Sequence, residues 1–470
     1  MLKKQLYLFF ILSFGLVILT TSCKKKNFLS KKNLSFSIDT LVFDTVFTSI
    51  GSTTKQFKIY NKENRTVNIS DIELMGGDAS PFRMNVDGIM STKIQDIELE
   101  GKDSLFVFVE VTLAVSGQNL PLIIEDSIRF RTNGVDQYVQ LAVWGQDMYY
   151  HYSHYLGAGP NILDLNEGTW PNDKPHLIYG AAFVDEGKTL NIQAGTQIYL
   201  HKNAKLYVYK STLNIQGTIG NEVVFQGDRL EQDYQDVSGQ YYGIYFEKAR
   251  PSTINYAIIK NGTSGIHLFS RDQAFTDYTL TVTNTIIKNQ ARYGIFIYSG
   301  AKVKAENSII AKNGTHALLV LEGGDFNFNH CNLLGYGPST AAAIGISNFY
   351  NDYSSGTTNV GSINEGVLQN CIISGTLPTE MAIDTIQMQG VTINFNFNHC
   401  LIRSEEIQTD GFYQNILWNG NPNFTNTNEF DFSFTNSAIQ NEQGINSSVV
   451  TDIFGNPRNN PPDVGAIEVN

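Results

Sequence analysis

Residues 257–268 read AIIKNGTSGIHL, residues 285–297 read TIIKNQARYGIFI, and residues 308–320 read SIIAKNGTHALLV. Each stretch opens on a small residue and two aliphatics, bends at an Asn, and closes on a second apolar strand introduced by Gly or Ala. The opening phrase returns as Cys331-Asn332-Leu333-Leu334 (with one residue inserted), Cys371-Ile372-Ile373 and Cys400-Leu401-Ile402. Counted from the small residue, the intervals are 28, 23, 23, 40 and 29 residues. A unit recurring at about that length marks a solenoid whose coils stack one on the next. β-branched residues, Asn and Gly dominate it and no helical period runs through it, so the coils are predicted to be a parallel β-helix.

The same logic sorts the side chains. Ala257, Thr285, Ser308, Cys331, Cys371 and Cys400 form one column of small residues, predicted to face inward where the walls come close. The three thiols then act as small hydrophobes. Asn261, Asn289 and Asn313 are placed at the bend, because Asn tolerates a left-handed backbone and its amide can bond to the next coil's amide. The second strand of the coil is read at Gly265–Leu268, Gly294–Ile297 and Ala317–Val320, with weaker counterparts at Ala343–Ile346 and Ala382-Ile383. His330 and His399, just before the thiols, are read as stacked column residues. At roughly 4.8 Å per coil, ten to twelve coils make a rod about 50 to 60 Å long.

Outward from the repeat, earlier rungs are expected at 189–192, 196–200, 205–208, 212–215 and 222–225. The stretch LNIQAGTQIYLHKNAKLYVYKSTLNIQGTIGNEVVFQGDR (190–229) resembles the opening coils of exported right-handed parallel β-helix proteins of pectate-lyase-like outline. Residues 348–356 and 228–240 are read as loops bulging from the rod. The ending Pro461-Pro462-Asp463-Val464-Gly465-Ala466-Ile467-Glu468 resembles the final turn of such proteins, which implies a cap on the last coil's open edge.

The N-terminal third has a different rhythm. Short alternating strands are expected at 43–47, 55–60, 66–74, 104–113, 126–132 and 138–144, which makes residues 34–147 a β-sandwich of six or seven strands and immunoglobulin-like outline. FDTVFTSIGS, SPFRMNVDG, DSLFVFVEV and DSIRFRTNG…QLAVWGQD resemble the N-terminal domain of a family of Gram-negative lipoproteins of unassigned function. The tyrosine-rich run 148–165 is read as a linker, and residues 166–470 as the β-helix with its cap. The fold class is therefore all-β, a sandwich followed by a right-handed parallel β-helix.

At the N-terminus Lys3 and Lys4 precede an apolar run from Leu6 to Leu19 and then Thr20-Thr21-Ser22-Cys23. The run is short for a membrane span and ends in small residues, as a cleaved signal over residues 1–22 does. Cys23 after those small residues resembles the lipobox of bacterial lipoproteins, although Thr20 stands where Leu is usual. The resemblance implies acylation of Cys23, a tether over residues 23–33, and a membrane partner reached through lipid. Lys24, in place of an Asp at that position, resembles an outer-membrane sorting context.

Composition narrows the partners. With 33 Lys and Arg against 45 Asp and Glu, the net charge of −12 argues against nucleic acid. Once Cys23 is set aside three cysteines remain, an odd number with no disulfide framework. No cofactor or metal site is read, and His151 and His154 are taken as polar-tipped linker aromatics. A β-helix lyase needs stacked carboxylates for Ca²⁺, and a hydrolase needs clustered aspartates. The acids here are scattered; Glu322 and Asp325, beside Gly323-Gly324, are the best pair and are read as solvated turn acids. Tyr199, Tyr207, Tyr209, Tyr241, Tyr242 and Tyr245 are read as an aromatic strip, four of which (Tyr199, Tyr207, Tyr209, Tyr242) are candidate glycan-binding residues. The competing reading covers that strip with the sandwich or the linker. The functional expectation is a non-catalytic surface for a glycan or an envelope protein. The alternative is a polysaccharide-active lyase or hydrolase.

Overall fold

The computed structural model describes residues 33–114, 122–152, 168–271 and 276–469. The signal segment, Cys23 and nearly all of the tether lie outside these residues. Two compact units divide between Asp147 and Met148.

The first unit is a sandwich of two five-stranded sheets. One holds Ser35–Phe36, Lys55–Tyr60, Ser104–Val111, Phe82–Val86 and Ile89–Met90; the other holds Thr40–Phe47, Val135–Gln146, Leu122–Thr132, Val67–Leu74 and Lys93–Leu99. Alternate residues point inward, so Phe57, Phe82 and Val107 of one sheet meet Phe43, Ile69 and Phe130 of the other. The six expected strands are present. Four more, at 35–36, 82–86, 89–90 and 93–99, carry too few consecutive apolar residues to stand out.

The second unit is a parallel β-helix with three strands per coil. They form stacks of eleven, ten and eight strands. Ten steps of about 4.8 Å give the longest stack a height of about 48 Å. Its first rung corrects the linker: Tyr149–Tyr152 pairs in parallel with His176–Tyr179. His151 Nε2 lies 2.9 Å from His176 Nδ1, and His151 stacks on Trp170 at 4.3 Å.

In the eleven-stranded sheet the small residues stack as expected, and all three thiols are fully buried. Each donor in the column bonds to the carbonyl two residues earlier: Thr285 Oγ1 to Thr283 at 2.8 Å, Ser308 Oγ to Glu306 at 2.9 Å, Cys371 Sγ to Gln369 at 3.2 Å. The same atoms accept from the coil before, as Ser308 Oγ does from Thr285 N at 3.2 Å and Cys400 Sγ from Cys371 N at 3.4 Å. Burial pushes the Cys331 and Cys400 thiols well above their ordinary value.

The two aliphatics of the phrase point opposite ways. Ile259, Ile287, Ile310, Leu333, Ile373 and Ile402 face the interior. Ile309, Leu334, Ile372 and Leu401 belong instead to a second apolar cluster with Phe432, Phe434, Ile453, Val464 and Ile467. The C-terminal segment is therefore a cover over the sheet's outer face, and the expected edge cap is corrected. It is tied down across coils: Ala466 N donates to Asn332 Oδ1 at 3.1 Å and Ile445 N to Asn370 Oδ1 at 2.8 Å. Asn332 is thus no insertion; it pairs with Ile309 and Ile372 in the outward register.

The bends follow the same columns with one shift. Asn261 and Asn289 have φ of 69° and 56°, and Asn289 Nδ2 donates to Asn261 Oδ1 at 2.7 Å. In the next coil the left-handed residue is Lys312, while Asn313 accepts from Gln290 N at 3.2 Å. Before the thiols, Asn370 Nδ2 lies 2.9 Å from His330 Nε2, whereas His399 Nδ1 lies 2.8 Å from Asn398 Oδ1. The Gly that opens the second strand has a packing cause. A Cβ on Gly294 would sit 2.1 Å from Ile310 Cγ2 and 2.6 Å from Ala317 O. The ten-stranded sheet, with strands such as Lys302–Glu306 and Asp325–Asn329, completes each coil. Residues 348–356, read as loop, contain the first strand and the turn of an antiparallel hairpin that pairs 349–352 with 357–360.

The cover is pinned by Arg458, whose guanidinium donates to Asn307 Oδ1 at 2.7 Å, Gly465 O at 3.0 Å and Glu468 Oε2 at 3.1 Å. Side-chain exposures of 3% and 0% make Arg458–Glu468 a buried ion pair. Replacing Arg458 with Met leaves Glu468 buried without its cation, an expected loss of about 3–5 kcal/mol read as a lower urea midpoint. An unchanged midpoint would show the cover to be held by apolar packing alone.

Candidate functional site: an aromatic face and an open last coil

In the eight-stranded sheet Leu206 and Val208 face the core, so Tyr207 and Tyr209 face out. Parallel register then builds a file that the tyrosines alone only begin: Phe183, Tyr207, Tyr245, His267 and Phe296 occupy one outward position on five successive coils. Successive ring centroids are 4.3, 4.9, 4.8 and 4.5 Å apart. A second file two residues on runs Tyr209, Glu247, Phe269, Tyr298. Tyr242 borders the first file, its hydroxyl 2.6 Å from His267 Nδ1.

Charges sit at the margins of this face. Lys205 Nζ lies 5.2 Å from the Tyr242 ring and 5.6 Å from that of Tyr207. The Tyr207 hydroxyl donates to Glu247. Burial pushes the Tyr245 phenol up to about 12 and holds His267 down at about 4, with Lys205 adding to the latter shift. At neutral pH Tyr245 and His267 are therefore uncharged. Two sequence candidates leave the strip. Tyr199 lies in the eleven-stranded sheet between Leu177 and Gln226 and is buried, and Tyr241 points into the core with its hydroxyl on Lys260 O at 2.8 Å. His267, Phe296 and Phe183 were missed because their link to the tyrosines is register across coils, which a one-dimensional reading does not display.

Glu322 and Asp325 are also corrected. Both are buried, and each is occupied separately. Glu322 accepts from Arg271 Nη2 at 2.5 and 2.7 Å and from Ser299 Oγ at 3.0 Å. Asp325 Oδ1 accepts from Asn364 N at 2.8 Å and Glu365 N at 3.2 Å. They brace corners of neighbouring coils and share no open site. Among the described residues no group of three or more His, Cys, Asp or Glu is arranged to hold a metal ion, and no helix is long and apolar enough to cross a membrane.

A cavity of about 600 Å³ opens at the other end of the same sheet. Met381–Asp384 is the sheet's terminal strand, whereas the other two sheets continue to Tyr413–Gln414 and Leu417–Trp418. Where a further strand would lie, residues 404–412 swing outward and Phe395, Tyr413 and Trp418 stay only partly covered. Glu405, Glu406 and Asp410 line the mouth. The sequence signal is spacing. Sixteen residues separate Cys400 from Ile416, too few for three strands and their turns.

Comparison with known proteins agrees on architecture. Residues 178–333 match the family model described as right handed beta helix region, so the parallel coils are right-handed. No curated protein sequence matches the chain. The catalytic unit of a thermostable GH87 alpha-1,3-glucanase from Streptomyces thermodiastaticus is 10% identical, over 78% of this chain and 89% of that one, with a TM-score of 0.26. A family 123 glycoside hydrolase from Clostridium perfringens is 8% identical over 26% of this chain and 30% of that one, with a TM-score of 0.18. The E. coli chaperone DraB is 12% identical over 24% and 54%, with a TM-score of 0.17. The chain thus spans under a third of that hydrolase and about half of DraB, and none of these likenesses bears on activity.

The histidines set a pH dependence. Desolvation holds His151 and His330 down at about 3, and His176 and His267 at about 4. Their folded values lie below the unfolded value of about 6.5, so the stability from each neutral ring is complete above that pH. It is lost as pH falls towards about 4, at up to about 1.4 kcal/mol per pH unit per ring. Urea titrations at pH 7.5 and 5 should show lower stability at the acid pH, and His330→Gln should flatten the slope. Equal stability at both pH values would contradict the burial described.

Proposed function

We propose that this chain is a lipid-anchored outer-membrane protein that holds an extended glycan along the aromatic face of its β-helix without cleaving it. The observation carrying the reading is the file Phe183–Tyr207–Tyr245–His267–Phe296, continuous over five coils and partly exposed. Sugar rings offer apolar C–H faces to aromatic carbons and hydroxyls to groups such as Tyr242 and Glu247. A chain of sugars is itself a one-dimensional repeat, suited to a surface that repeats along one axis. The net charge of −12 favours neutral glycans over polyanions.

A second reading, a polysaccharide-active enzyme, is favoured by one observation: Glu405, Glu406 and Asp410 line an open cavity. The two are separated by one experiment. In affinity electrophoresis against a panel of neutral polysaccharides, the chain should be retarded by at least one polymer. Tyr207→Ala, Tyr245→Ala and Phe296→Ala together should weaken that retention at least tenfold, at about 0.5–1.5 kcal/mol per ring contact. Release of reducing ends or unsaturated products, abolished by Glu405→Gln with Glu406→Gln, would establish the enzyme instead.

The tether is tested on its own. Cys23→Ser should move the chain from the membrane to the soluble fraction and abolish labelling by a fatty-acid analogue. A Cys23→Ser variant that remains membrane-bound would remove lipid as the anchor.

A further inference from the structure

The cavity beside Met381–Asp384 has the form of a missing rung. On one side this strand pairs in register with Ile344–Ser347; on the other it is the end of its sheet. Met381 and Ile383 continue the inward columns of Ile344 and Ile346, and beyond them Phe395, Tyr413 and Trp418 line the gap. The outer wall does not fall into the space because it is pinned. Ser404 N donates to Asn419 Oδ1 at 2.9 Å, Asn419 Nδ2 to Ser404 O at 2.8 Å, and Glu405 N to Thr379 Oγ1 at 3.0 Å. An open backbone edge above an apolar floor, held apart by its own hydrogen bonds, is a seat for an added strand.

We infer that this seat takes an extended peptide of a partner protein, about four residues long, with apolar side chains at alternate positions and basic ones between them. Two features choose that occupant. Unpaired N–H and C=O groups along a strand edge are matched in register by another backbone. At the mouth Glu405, Glu406 and Asp410 have no ion pair among the described residues and favour a cationic segment. A second copy paired edge to edge about a two-fold axis would bring the same three carboxylates against their equivalents, so charge disfavours that occupant. The inference is independent of the glycan reading, which uses the outer face of the sheet.

The test is selection of random octapeptides displayed on phage against the full-length chain in detergent. The expected winners alternate apolar residues with Lys or Arg. Synthesised winners should bind saturably and slow amide exchange across residues 381–384 at least tenfold. Glu405→Lys with Asp410→Lys, both exposed positions, should weaken binding at least tenfold with the melting temperature unchanged, as should N-methylation of alternate peptide amides. Selection without that pattern would overturn the inference, as would binding indifferent to charge reversal and N-methylation. Protection of 381–384 by a neutral glucan hexasaccharide alone would make the seat a glycan site, and a dimer in sedimentation would assign it to a second copy. Either result also ends the proposal.

Discussion

Everything in the second unit depends on residues of successive coils lying in fixed register, one column above the next, about 4.8 Å apart. The small-residue column shows how the register is held. In-sheet hydrogen bonding begins one residue later, so the column's own N–H needs an acceptor. Thr285, Ser308 and Cys400 supply it to the coil before, while turning their own hydrogens back to the carbonyl two residues earlier. Only a side chain with its heteroatom at the γ position and little bulk can do both. That is the physical content of the Thr, Ser, Cys succession, and it is why the thiols sit among hydroxyls as equivalents.

The same register decides what the outside of the rod can be. A column that faces out is a stripe of one chemistry, because the interaction favouring a residue on one coil favours a similar one on the next. On the eleven-stranded sheet the stripe is aliphatic, so the chain must cover it, and the C-terminal segment does. On the eight-stranded sheet the stripe is aromatic. Its rings shield one another, and its polar groups pair within the face, Tyr207 with Glu247 and Tyr242 with His267. Two faces of one helix thus differ: among the described residues of the second unit, the C-terminal segment covers the first and not the second.

What could be read from the sequence alone follows from how much of each column is local. The phrase Ile286-Ile287 states its two buried faces in adjacent letters, and Gly294-Ile295 states a close approach between walls, so both were legible. The ten-stranded sheet was legible only in its early rungs, 189–192 and 212–215. A strand such as Lys302–Glu306 shows two inward residues, Val303 and Ala305, among charged neighbours. Asn332 looked like an insertion because a polar letter stands in an aliphatic column; its partner, the Ala466 amide, is 134 residues away. Tyr199 was grouped with Tyr207 by nearness in sequence, yet the turn between them moves the chain to another sheet. Glu322 looked solvated since Arg271, its partner, lies two coils earlier. Chemistry built across coils is invisible when the interval between coils varies from 23 to 40 residues.

The unfinished last coil follows from the same one-dimensional energetics. In a solenoid each coil is stabilised by its immediate neighbours, so omitting one strand at the end costs only the contacts that strand would have made. A globular core could not lose a strand so locally. The residues left at the gap fit that position: Tyr413 and Trp418 pair an apolar body with a polar edge, and tolerate half-burial better than the aliphatics of the interior would. The interval of sixteen residues after Cys400 is therefore a structural instruction of the same kind as the 23-residue intervals before it. One length closes a coil, and the other leaves it open.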